Sequence, residues 1–317
     1  MSSVKWLNDF STPPGTTGKR VAVCLSGQAR LFPDSIDSIK KHLIKPYGAD
    51  VFCCFTPHTS WEEYYSEPVK DRLSYSEKVI QIAKDAFGKS LKTVQVLSEE
   101  DYPLMKSGAT FTEETIDIIR WSKENNKPNI HPRNKKMELC SSLRRDWERQ
   151  NNFQYDIVIT LRPSLLLKEK LEIDFSISEN TLITAGSHIR GTTIPRVWDG
   201  IFYTKGESHE RATSDLIGSF PYLSGVKEEP EVLFEKLRIG FFMFSPENTL
   251  LYNWVMRKNF DLKFLKLPFS YIHPNKHEIQ FTYEKLKPLD SEIRKKLPQG
   301  LVVPEKYRDL QLMHLYK

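Results

Sequence analysis

The stretch KRVAVCLSGQARLFPDSIDSIKKHLIKPYGADVFCCFT, residues 19–56, holds a complete crossover unit. Residues 21–25 form a continuous apolar run, the pattern of a strand that meets water on neither face. Ser26, Gly27 and Gln28 interrupt it and read as a turn running from Leu25 to Arg30. Pro33 and Asp34 mark a helix start, since Pro loses no hydrogen bond in a first turn and Asp can accept from its exposed N–H groups. Ile36, Ile39 and Leu43 follow at helical spacing, and Pro46-Tyr47-Gly48 ends the helix. Residues 51–55 are a second buried strand. Two buried strands separated by a helix-length connection pair in parallel.

The alternation continues outward from this unit. Strands are expected at 93–97, 155–161, 165–167, 181–185, 200–203 and 239–244, and helices at 76–87, 115–123, 133–149, 208–218, 230–237 and 248–257. From Leu262 onward the chain is rich in Pro and basic residues and is expected to wrap irregularly over the surface. The fold class is therefore α/β, with a mostly parallel central sheet flanked by helices and a Rossmann-like nucleotide-binding half. Residues 1–18 read as a flexible leader, 19–260 as the main domain and 261–317 as an extension packed on it.

Composition excludes several classes. The chain has 317 residues, 39% of them hydrophobic and 12% aromatic, enough for a sizeable core and too many for disorder. Forty-six basic residues against 41 acidic ones give a net charge of +5. The basic clusters at Arg133/Lys135/Lys136, Arg144/Arg145 and Arg294-Lys295-Lys296 are short and read as solvated helix faces rather than a nucleic-acid patch. No run approaches the ~18 apolar residues of a membrane span. Cys24, Cys53, Cys54 and Cys140 lack the spacing of a disulfide framework, and reduced thiols in a cytoplasmic setting are expected.

In parallel sheets ligands bind beyond the carboxyl ends of the strands, at a switch point. The functional residues should follow Leu25, Phe55 and Leu161 and surround Asp199. In the first turn, Ser26, Gly27 and Gln28 could bond a base, ribose or phosphate, and Arg30 offers a planar fork for phosphate. An ordinary tight turn with a surface Arg is the alternative. No G-x-G-x-x-G, no phosphate loop and no nucleophile elbow occurs, and Thr56 stands where a ribose-binding acid would be expected after the second strand. Arg162 precedes Pro163, which ends its strand and leaves Arg162 at the sheet edge, where it reads either as a ligand-binding group or as a surface Arg before a turn. His273 and His277 flank a loop and make a poor metal pair; His58 and His188 stand alone at strand ends.

At this point the chain resembles a family. The strand with its S-G-Q-x-R turn, the next helix and Ala49-Asp50-Val51-Phe52 are similar to GT-A-type glycosyltransferases of the polysaccharide-synthesis kind, found in bacterial surface-glycan clusters and large algal viruses. Tyr155-Asp156-x-Val158-Ile159-x-x-Arg162-Pro163 matches their Y-D-x-V-I-x-x-R-P-D pattern, Trp198-Asp199-Gly200 their next acidic motif and Pro230-Glu231-x-Leu233-Phe234 their P-E-x-L-L helix start. The resemblance spans about residues 19–258 and implies transfer of a sugar from a nucleotide-diphosphate donor to a glycan acceptor. It implies donor contacts from Leu25, Ser26, Gly27, Gln28, Arg30, Thr56, Arg162, Ser164 and Trp198. Asp199 and Glu231 become the candidates for a carboxylate general base in an inverting reaction.

The sequence departs from the pattern at Ser164, where the family has Asp, and no Asp-x-Asp occurs. That puts dependence on Mn2+ or Mg2+ in question; Arg162 and Arg30 could neutralise the diphosphate instead. A catalytically silent nucleotide- or sugar-binding protein of the same fold is the alternative. A methyltransferase-like enzyme is disfavoured by the missing glycine-rich turn, and no nucleic-acid partner is expected.

Overall fold

The computed structural model describes residues 18–29, 32–56, 69–97, 130–188, 195–216, 250, 253–254, 258–265, 269–272 and 278–281. Its centre is a seven-stranded sheet in the order β3-β2-β1-β4-β7-β6-β8. The strands are β1 (Val21–Gln28), β2 (Asp50–Thr56), β3 (Leu91–Val96), β4 (Ile157–Leu161), β6 (Thr181–His188), β7 (Pro195–Lys205) and β8 (Asp261–Phe264). Only β7 is reversed: it runs antiparallel to β4 and to β6, while the remaining pairs in this sheet are parallel. A three-stranded sheet in the order β10-β9-β5 joins β5 (Leu165–Leu167), β9 (Phe269–Ile272) and β10 (Glu278–Phe281).

The first unit forms as its pattern dictates. Helix α1 (Phe32–Ile39) continues through a π turn (Lys40–Ile44) into a last turn, α2 (Lys45–Tyr47). Gly48 caps it in the left-handed region, φ 57°, which costs a residue without Cβ little. Helices α3 (Val69–Phe87) and α4 (Ile130–Asn151) follow β2 and β3, and α5 (Gly206–Thr213) follows β7. The sheet then buries two apolar faces. Val21, Val23, Leu25, Val51, Cys53 and Phe55 share one core with Phe32, Ile36, Ile39, Val79, Ala83 and Phe87 from α1 and α3. Ala22, Cys24, Phe52, Cys54 and Val158 pack on the other side against Cys140, Leu143 and Trp147 of α4. Helices cover both faces there, so the central strands β1, β2 and β4 are buried along nearly their whole length rather than alternating.

Three features differ from the sequence reading. The segment Ser26-Gly27-Gln28 is strand, not turn: β1 continues in register with β2 as far as Gln28 opposite Thr56, and the chain turns only at Ala29. Gly27 is there because Pro163 is; a Cβ at Gly27 would stand 2.8 Å from Pro163 Cδ, at a φ of +155°. The segment after Leu262 is not irregular where it is described, since β8, β9 and β10 lie within it. Pairing of β8 with β6 carries the main sheet past residue 260. The third difference is β7, which is 11 residues long and begins before Trp198, where four residues from Gly200 were expected. The expected elements at 115–123, 230–237 and 239–244 lie outside the described residues.

Among the described residues no helix is long and apolar enough to cross a membrane.

Candidate functional site

In sequence order, β2 and β3 add to one side of β1 and β4 to the other, so the sheet has its switch point between β1 and β4. The carboxyl ends of β1, β2 and β4 there carry Ser26-Gly27-Gln28, Thr56 and Arg162-Pro163-Ser164. Reversed β7 brings its first half to the same edge. The Arg162 N–H donates to Gly200 O at 2.8 Å, so the chain leaving β4 is still clipped to β7. Opposite β6, β7 inserts Asp199, Gly200 and Ile201 between the pairs Ala185–Trp198 and Thr184–Phe202. The Thr184 hydroxyl donates across this bulge to Ile201 O at 3.0 Å. A Cβ on Gly200 would fall within 1.9 Å of the Trp198 ring, so the indole closes over the glycine and the bulge turns Asp199 into the edge.

Asp199 is fully buried, and its Oδ2 is ion-paired with two guanidiniums. Arg162 Nη2 bonds it directly, and Arg133 Nε lies 3.5 Å away. Arg133, from the first turns of α4, spends its fork across the end of β4. Nη1 donates to Ser26 O and, at 2.9 Å, to Ser26 Oγ; Nη2 donates to Asp199 O at 2.6 Å. One buried guanidinium therefore ties β1 to β7. Burial and the Arg162 charge lower its pKa to about 10, against the pull of Asp199, so it stays charged at neutral pH.

One helical turn further, Lys136 is 3% exposed. Its Nζ donates to Thr56 Oγ1 at 3.1 Å, and no carboxylate among the described residues pairs with it. Burial first, then Arg133 and Arg162, push its pKa down to about 7, with only the Cys54 thiol opposing. Asn134, also buried, has neither its amide N nor its amide O hydrogen-bonded. Among the described residues the edge thus holds three basic side chains, Arg133, Lys136 and Arg162, and the Asp199 carboxylate, which pairs with the two arginines. Arg162 alone of these is partly open, with 24% of its side chain exposed.

Beneath the edge, His209 of α5 bridges Ser141 of α4 (Nδ1 to Oγ, 3.0 Å) and Thr160 of β4 (Nε2 to Oγ1, 2.8 Å). Burial and the nearby Arg144 charge hold the imidazole well below its usual pKa, so it is neutral. The ring stacks on Phe202. This network fixes α4, and with it Arg133 and Lys136, relative to the sheet.

The residues singled out from sequence are distributed as follows. Leu25, Ser26, Gly27, Gln28, Thr56, Arg162, Ser164, Trp198 and Asp199 all lie at or next to this edge. Leu25 and Trp198 belong to the apolar core, and the Ser26 hydroxyl is taken by Arg133. Ser164 is buried in the turn after β4. Arg30 and Glu231 lie outside the described residues, as do His58, His273 and His277.

Arg133, Lys136 and Asn134 were missed, and the reading of their basic cluster as a solvated face is corrected. The signal was available: Met137 and Cys140 stand four and seven residues beyond Arg133, and Cys140 stands four beyond Lys136. Both cations therefore share the apolar face of α4 that packs on the sheet.

The donor set does not suit a divalent cation. Among the described residues no group of three or more His, Cys, Asp or Glu side chains could hold a metal ion, and Oδ2 of Asp199 is ion-paired with two guanidiniums. No protein-family model matches the chain, and no curated protein matches it.

Proposed function

We propose that this chain is a nucleotide-sugar-dependent glycosyltransferase with a GT-A-like architecture, moving a sugar from a nucleotide-diphosphate donor to a glycan acceptor. The observation that carries the reading is the convergence of Arg133, Lys136 and Arg162 on the switch-point edge with Asp199 as the one carboxylate there among the described residues. An excess of buried positive charge at the place where parallel sheets take ligands fits an anionic substrate. In the transfer, the acceptor hydroxyl attacks the anomeric carbon and the nucleoside diphosphate leaves carrying the bond's electrons. Fixed cations at the edge stabilise that developing charge without rearranging.

The two carboxylates proposed as bases stand differently. Asp199 is ion-paired with two guanidiniums, an arrangement that suits anchoring Arg133 and Arg162. Glu231 is then the first candidate to take the acceptor's proton. The mobile-proton chemistry needs no thiol, and all four cysteines are buried and free, in keeping with work in the cytosol.

The test is an assay of donor hydrolysis and transfer over a panel of UDP- and GDP-sugars. Turnover of at least one donor is expected, with Glu231→Gln reducing kcat by roughly 100-fold or more. A second reading, a silent binder of the same fold, is favoured by Ser164 and by the commitment of Asp199. It predicts that a donor raises Tm and is never cleaved.

A further inference from the structure

Lys136 presents an unusual arrangement. It is an ammonium 3% exposed, aimed at the mouth of β2 through Thr56, with Arg133 and Arg162 as its charged neighbours. A buried ammonium either pairs with a countercharge or gives up its proton. Asp199 does not serve, being taken up by the two arginines. Arg133, one helical turn before Lys136 and on the same helix face, and Arg162 after β4 add two further positive charges beside it.

We propose that Lys136, with Thr56 beside it and Arg162 at the opening, is a receptor for a phosphate-class oxyanion that works without a divalent cation and binds its ligand together with a proton. The receptor itself stands on the geometry; that the anion is the diphosphate of a sugar donor rests on the transferase reading. In the empty site at pH 8 the ammonium is largely deprotonated, because burial and two neighbouring guanidiniums disfavour its charge. An arriving oxyanion reverses that balance and the amine takes up a proton from solvent. The titratable and charged groups facing it are Arg133 on its own helix, Arg162 after β4 and Cys54 on β2.

The test is calorimetric titration of the full chain with inorganic pyrophosphate in excess chelator, at pH 8, in two buffers of different ionisation enthalpy. Saturable binding with uptake of about one proton is expected, falling toward zero uptake at pH 6. Lys136→Met should weaken binding roughly 10- to 100-fold and abolish the uptake. Lys136→Arg, always charged, should keep most of the affinity and lose the uptake. Binding that appears only when magnesium is added, or equal affinity in wild type and Lys136→Met, overturns the receptor, as does the absence of pyrophosphate binding. The two readings fail separately. Pyrophosphate binding with proton uptake but no cleavage of any nucleotide sugar removes the transferase and keeps the receptor. Sugar transfer undiminished in Lys136→Met keeps the transferase and removes the receptor.

Discussion

At the scale of the residue, Arg133 and Lys136 differ in what they do with the same sign of charge. Arg133 has a fork whose donors reach Ser26 on one strand and Asp199 on another. A lysine there has one nitrogen and cannot span both, so Arg133→Lys is expected to cost about 2–4 kcal/mol, read as a lower urea midpoint with unchanged m-value. Lys136 makes the opposite case. Its pKa in the folded chain lies near 7, below the 10.5 of a free lysine, so the unfolded chain binds more protons between those values. Its burial thus costs stability in full below pH 7, and that cost is relieved as pH rises toward 10.5. Lys136→Met should therefore raise stability by about 1–3 kcal/mol at pH 7, with little gain above pH 10, measured by urea unfolding across that range. An engineered gain in stability that removes anion binding would mark Lys136 as a functional expense. Arg162 was legible because Pro163 forces a strand end beside it. Arg133 and Lys136 were obscured because they flank the half-exposed Lys135 in a basic cluster that resembles a solvated face, whereas helical spacing from Met137 and Cys140 places them inside.

At the scale of the element, β7 shows what local pattern hides. Its apolar centre, Ile201-Phe202-Tyr203, announced a strand, but direction is not written in a strand's own residues, and neither is a bulge. The reversal and the insertion of Asp199, Gly200 and Ile201 arise from pairing with β4 and β6, which are distant in sequence. Gly200 is the position where the bulge is vulnerable. With a Cβ it would overlap the Trp198 ring, so Gly200→Ala is expected to destabilise by more than about 3 kcal/mol. Its cost in a Trp198→Ala background should be smaller by at least about 1 kcal/mol, a coupling that a double-mutant cycle measures directly. Equal costs in the two backgrounds would show that the ring is not what excludes the side chain. The strands β8, β9 and β10 were missed because prolines and lysines surround them; four-residue strands offer too few alternations to stand out from such neighbours.

At the scale of the whole molecule, most elements as far as residue 213 were legible, but the pairing of the later strands was not. Residues 19–97 alternate strand and helix along the chain, so local pattern and topology coincide. From β5 onward, neighbours in space are far apart in sequence: β5 pairs with β9 and β6 with β8. The pH dependence of global stability should follow the buried bases. His209 is neutral in the fold and titrates near pH 6.5 once unfolded, so stability falls as pH drops below about 6.5, by up to roughly 1.4 kcal/mol per pH unit. His209→Gln should flatten that slope between pH 5 and 6.5 in urea titrations; an unchanged slope would assign the acid sensitivity elsewhere.

The late strands β8 and β9 carry a consequence for biosynthesis. A ribosome releases the chain from its amino end, and β1 to β4 can pair as soon as residue 161 has emerged. The edge of β6, however, waits for residues 261–264, and β5 waits for 269–272, more than 100 residues after its own synthesis. During that interval the nascent chain carries an open strand edge, the kind of surface that chaperones shield.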